Sequence, residues 1–226
     1  MATPIVEPRP GSVGAEDLYR ADFYAWARQQ AAALEQRDQD ALDWENLQEE
    51  VEGLARTERA DWRGPGSQAL VHMLCVQHAR DRVAAGTIKG WHDEIHAFRE
   101  AMAGVVRESP SLQGQFDEMF AGMWRDAREA ACRRLGVYAA QAVSLPAEKA
   151  HPFERVVRAE VPEEIPYRVE HFFSWDEEER AARREVWPPG VAVVFNSVLG
   201  TEYPVLSERE RDVRRQLREL RFGRDR

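Results

Sequence analysis

DWENLQEEVEGLARTE, Asp43 to Glu58, is the stretch on which the fold turns. Asp43 stands where an N-cap belongs, Glu45 sits near the positive end of the helix that follows, and Leu47, Val51 and Leu54 recur at i, i+4 and i+7. The spacing predicts an amphipathic helix with one buried stripe, running to about Trp62. Glu50 falls inside that stripe, three residues after Leu47 and four before Leu54, while Glu49 and Glu52 lie toward its flanks. A carboxylate carried into a core needs a partner, which makes Glu50 the first candidate site residue.

On the N-terminal side, Asp22 is placed to cap a helix with Phe23, Trp26, Ala27, Ala31 and Leu34 along one side, and EQRDQD is a short connection. Residues 1–14 read as a frayed lead. On the C-terminal side, Gly64-Pro65-Gly66 is expected to end the central stretch, and Ser67 to cap a third helix, SQALVHMLCVQHARDRV, apolar on nearly all sides. Gly86 and Gly90 bracket a turn. A fourth helix from Trp91 carries Ile95, Phe98, Met102, Val105 and Val106 and stops at Ser109-Pro110. A fifth, from about Leu112 to Leu135, carries Phe116, Met119, Phe120, Met123, Ala127 and Ala131, with Gly136 as its C-cap. The fold expected over residues 15–145 is an all-α, five-helix antiparallel bundle.

Residues 146–189 are punctuated by Pro152, Pro162 and Pro166, and are expected to form short helical pieces laid on the bundle, among them a helix with a Ser174/Glu177 capping box. Residues 190–226 read as an appendage. Its first part has strand composition and predicts a β-hairpin: Val191 to Phe195, a turn near Asn196 to Gly200, then Thr201 to Leu206. Ser207 and Glu210 then open a last, charged helix whose narrow apolar seam is Val213, Leu217 and Leu220.

With 226 residues, 43% hydrophobic and 31% charged, the chain has the composition of a soluble protein, and it lacks any apolar run near the ~20 residues of a membrane span. The N-terminus has no basic start and no apolar h-region, so the expected location is the cytoplasm. Cys75 and Cys132 both fall in apolar helical patterns and are expected to be buried thiols. A net charge of -9 argues against a nucleic-acid-binding surface over the whole molecule, although the last twenty residues are arginine-rich.

LYRADFYAWA (Leu18 to Ala27), LDWENLQEEVEGLARTER (Leu42 to Arg59), LVHMLCVQ (Leu70 to Gln77), Trp91, SPSL (Ser109 to Leu112) and WRDAREAA (Trp124 to Ala131), in that order, resemble the helical family described as domain of unknown function 29. The resemblance covers most of residues 15–145, and IPYRVEHFF ending at WPP is similar to the family's proline-flanked closing segment with an insertion. It implies an all-α bacterial protein and no particular activity. Gly64-Pro65-Gly66 and everything after Trp187 depart from the family pattern.

Three groups of residues could carry chemistry. Glu50 and His72 would meet if their helices pack antiparallel, with Asp43 or Glu45 nearby, giving either a mutually satisfied core pair or the start of a metal or general-base site. His92 and His96 are one turn apart, a spacing at which two imidazoles chelate a divalent ion, but both lie beside the apolar stripe and would equally suit a solvated face. The C-terminal helix, with Arg214 and Arg218 beside Val213, Leu217 and Leu220, would dock on the body, pair with its own copy or bind another protein. No phosphate loop, nucleophile elbow or zinc-type cysteine spacing occurs, and no cofactor is implied. The function expected is a non-catalytic protein-interaction or regulatory module acting through its C-terminal hairpin and helix. The competing expectation is a metal-dependent enzyme with a carboxylate/histidine site in the bundle.

Overall fold

The computed structural model describes residues 15–79, 82–167 and 187–203, and every regular element among them is helical. In chain order these are α1 (Ala15–Ala21), α2 (Phe23–Gln36), α3 (Trp44–Ala79), α4 (Ala85–Glu108), α5 (Phe116–Ala142), α6 (His151–Glu160) and α7 (Pro189–Leu199). Short 3-10 turns lie at Gln39–Ala41, Pro110–Gln115 and Ala147–Lys149. The chain divides into two compact units, Met1–Glu58 and Arg59–Arg226, and α3 contributes to both.

Hydrogen bonds organise the first unit. The Asp22 carboxylate accepts from the Ala25 N–H at 3.0 Å, the expected N-cap of α2. Asp43 caps α3 by accepting from the Asn46 N–H, and its other oxygen accepts from the buried Trp26 indole at 3.1 Å. The Asp43 N–H in turn donates to the buried Gln30 side chain at 2.8 Å. Burial pushes the Asp43 carboxyl upward, but the bonds from Asn46 and Trp26 outweigh it and hold the group below its ordinary value. The buried side of α2 is therefore Trp26, Gln30 and Ala33. The apolar stripe that the sequence suggested is exposed at Phe23 and Leu34, and on α3 at Val51 and Leu54.

In the second unit the stretch Ala69–Val76 of α3 is buried almost without interruption, as expected of a central helix. Trp62 stacks on Phe116 of α5 with ring centroids 4.4 Å apart. A Cβ at Gly66 would touch Met102 of α4 and Met123 of α5, while His72 lies by Trp91 and Phe98, and Trp91 by Tyr138. These pairings run α4 antiparallel to both α3 and α5. α6 packs on α5 and α7 on α4. Arg128 of α5 caps α6 from outside: its guanidinium donates to the carbonyls of Arg158, Val161 and Pro162 at 2.8–3.0 Å. Cys75 and Cys132 are buried free thiols, and burial pushes Cys75 up to about 12.

Four expectations are corrected. Gly64-Pro65-Gly66 does not end a helix, because α3 runs through it. Two glycines and a proline together disfavour a helix interior by about 5 kcal/mol, but the long buried face that begins at Trp62 holds the helix through them. Gly86 and Gly90 likewise lie inside α4 rather than in a turn. Val191 to Phe195 is not a strand; Val191, Ala192, Val194 and Phe195 are the buried face of α7, entered through Pro189 and closed by Gly200 at φ 67°. β-branched composition has yielded to a helical packing pattern.

Gly136 does not cap α5 either. It is an interior residue where α6 approaches so closely that a Cβ would stand 3.0 Å from the Glu154 Cα and backbone N. Gly136→Ala should therefore cost about 1–3 kcal/mol. Gly122→Ala, on the same helix with only the Arg63 side chain 3.8 Å away, should be neutral or stabilising by about 0.5–1 kcal/mol. Thermal melts of the two variants give the comparison, and equal shifts would show that α6 does not press on Gly136.

The lead 1–14, the Ser174/Glu177 helix, and the C-terminal helix with Val213, Arg214, Leu217, Arg218 and Leu220 lie outside the described residues.

Candidate functional site

Glu50 and His72 do not form a site together. Both belong to the single helix α3 rather than to two helices packed antiparallel, and each finds its partners within its own unit. Within the first unit Glu50 accepts a 2.6 Å hydrogen bond from the Tyr19 hydroxyl, and that bond is the main reason the phenol is raised to about 12. In the second unit the buried His72 has its Nδ1 3.2 Å from a Glu94 carboxylate oxygen, but without the alignment of a hydrogen bond. Burial, with Arg134 adding to it, depresses His72 to about 4. The imidazole is neutral at neutral pH, and its contact with Glu94 is no ion pair.

His92 and His96 are brought together, and not on a solvated face. The i, i+4 spacing on α4 aims both rings the same way, so that their Nε2 atoms are 3.2 Å apart and their centroids 4.4 Å apart. Trp187 and Phe195 cover them. The His92 ring meets Phe195 edge-on at 4.9 Å, the His96 ring meets Trp187 at 5.5 Å, and both covering side chains are fully buried. Arg99, one turn beyond His96, holds its guanidinium 4.2 Å from the centre of the Trp187 ring.

The third polar group is Tyr203, whose hydroxyl lies 2.8 Å from His92 Nε2. Asn196, on the last turn of α7, fixes it there. The Asn196 amide donates to the Tyr203 carbonyl, and its oxygen accepts from the Tyr203 N–H, both at 2.8 Å, and from the Thr201 hydroxyl at 3.1 Å. On the far side of the His92 ring, Nδ1 stands 3.0 Å from Asp93 Oδ1, and this bond is the chief reason that the Asp93 carboxyl lies below its ordinary value. A carboxylate at Nδ1 puts the proton on that nitrogen and leaves the Nε2 lone pair facing His96 and Tyr203.

Tyr203, Trp187 and Phe195 were not legible as site residues. They stand about a hundred residues from His92, Trp187 marks the end of the proline-flanked closing segment, and the other two fall in the supposed hairpin. Their juxtaposition follows from α7 being a helix. Among the described residues no three His, Cys, Asp or Glu side chains gather closely enough to hold a metal ion, and no helix is long and apolar enough to cross a membrane. His78 is not part of the cluster: its Nε2 is buried without a hydrogen-bond partner, and burial lowers its basicity.

No curated protein and no solved structure matches the chain. A family model does, over residues 18–177, a span that takes in the motifs from Leu18 to Ala131 and the closing IPYRVEHFF; the chain belongs to the family described as Domain of unknown function DUF29.

Proposed function

We propose that the protein is a non-catalytic interaction module that self-associates, its basic C-terminal segment from Ser207 to Arg221 docking on the α3 face of a second copy. The observation that carries this reading is the exposed stripe at the start of α3. Trp44, Val51 and Leu54 are 62%, 64% and 68% exposed and lie with Leu47 on one side of the helix. Amphipathic periodicity of that quality normally faces a core.

Charge selects the occupant. From Trp44 to Glu58 five glutamates stand against one arginine, Arg56, so two such faces would repel each other. A segment bearing Arg214 and Arg218 beside Val213, Leu217 and Leu220 supplies both the opposite charge and a matching apolar seam.

Light scattering on the full chain should show a concentration-dependent oligomer that weakens with salt. A chain ending after Tyr203, or one carrying Val51→Asp with Leu54→Arg, should run as a monomer with unchanged melting. Shortening further, to Trp187, is no test, because it removes the buried face of α7. A monomeric full chain at high concentration would refute self-association.

A further inference from the structure

We propose that His92, His96 and Tyr203 form a binding site for a late first-row transition-metal dication such as zinc or copper, held by the two imidazole Nε2 atoms and the Tyr203 oxygen as phenolate. The proposal is independent of self-association. It begins from a convergence of ligand atoms. With the His92 Nδ1 proton directed at Asp93, His92 Nε2 presents a lone pair, and both His96 Nε2, at 3.2 Å, and the Tyr203 oxygen, at 2.8 Å, converge on it. A cation placed among the three atoms takes a lone pair from each.

The spacing fits. Imidazole nitrogens bind zinc at about 2.0–2.1 Å, so two of them at a tetrahedral angle stand roughly 3.3–3.4 Å apart. The 3.2 Å between the two Nε2 atoms corresponds to a slightly closed angle. Asp93 occupies the position of the outer carboxylate that commonly orients a ligating histidine, bonded to the ring nitrogen that faces away from the ion. Trp187 and Phe195 supply an apolar wall that limits hydration on one side. Asn196 fixes the loop carrying the third ligand, so the phenol oxygen is positioned before an ion arrives.

Two imidazoles and a phenolate form a mixed nitrogen and oxygen set suited to zinc or copper rather than to calcium or magnesium. The ion takes the place of the phenolic proton, which leaves to solvent, so each binding event releases one proton and affinity rises with pH.

The test uses the full chain, stripped with chelator and dialysed, then titrated with copper(II) and with zinc. Expected are one tight ion per chain, about one proton released at neutral pH, and a phenolate-to-copper charge-transfer absorption in the visible. His96→Gln should weaken binding by about 100-fold and Asp93→Asn by about 10-fold. Tyr203→Phe, which keeps the ring packing, should retain weak two-histidine binding while losing the absorption and the released proton. His151→Gln, at an exposed position on α6, should change none of these. Absence of stoichiometric binding by the folded chain would overturn the proposal, as would an absorption that survives Tyr203→Phe. Should His96→Gln fail to fold, zinc-induced shifts of the His92 and His96 ring resonances in the unaltered chain decide, and unshifted resonances reject the site.

Discussion

Trp62→Ala is expected to lower stability by about 3–5 kcal/mol, read as a fall in the urea midpoint with little change in slope. Trp62 is completely buried where the second unit begins, and its ring lies nearly parallel to Phe116, with 13° between the planes. Truncation removes the indole from between α3 and α5 and leaves a cavity walled by helices that cannot close on it. In a protein of this size the change corresponds to a drop of roughly 10 °C or more in melting temperature. Trp62→Phe keeps an aromatic ring over Phe116 and should lose about half as much. A loss below about 1 kcal/mol for the alanine variant would mean that the two helices are not held together at this point.

Trp62 also marks where the sequence could be trusted and where it could not. The helices on either side of it were expected, one ending near Trp62 and the next opening at Ser67, but Gly64-Pro65-Gly66 suggested a break where α3 runs on, because local propensity leaves out the packing that overrides it. The same override turned Val191–Phe195 from a strand into α7. Caps read better: Asp22 and Asp43 could be assigned from the residue before each helix, because a cap is a local hydrogen bond. Faces were harder to assign. Ala27, Ala31 and Leu34 have the spacing of a buried stripe, yet α2 turns Trp26, Gln30 and Ala33 inward, since the Trp26 indole and the Gln30 amide reach Asp43. Half of the histidine cluster was legible, as the i, i+4 pair on α4. Tyr203 was not, because only the completed fold carries the loop after α7 to that helix.

The second large effect is a loss of stability in mild acid caused by His72. Buried beside Trp91 and Phe98, its ring resists protonation, and burial more than any neighbouring charge brings it down to about 4. In the unfolded chain the same group titrates near 6.5. Protons therefore bind the unfolded state first: the stabilisation is complete above about pH 6.5, declines as pH falls, and is exhausted near pH 4. The amplitude is about 2–3 kcal/mol, the full shift being discounted for the partly exposed Glu94 beside the ring. Carboxylates titrate in the same range, so the measurement is a difference. Denaturation midpoints of the wild type and His72→Gln, followed from pH 7.5 to 4, should converge as the acid limb removes the wild type's advantage. Glu94→Gln should leave the wild-type limb nearly intact, because the carboxylate is not aligned to hold the ring proton. The opposite arrangement makes the opposite prediction. Were His72 a charged partner of Glu94, its folded value would exceed 6.5, stability would be gained on acidification through that range, and Glu94→Gln would abolish the gain.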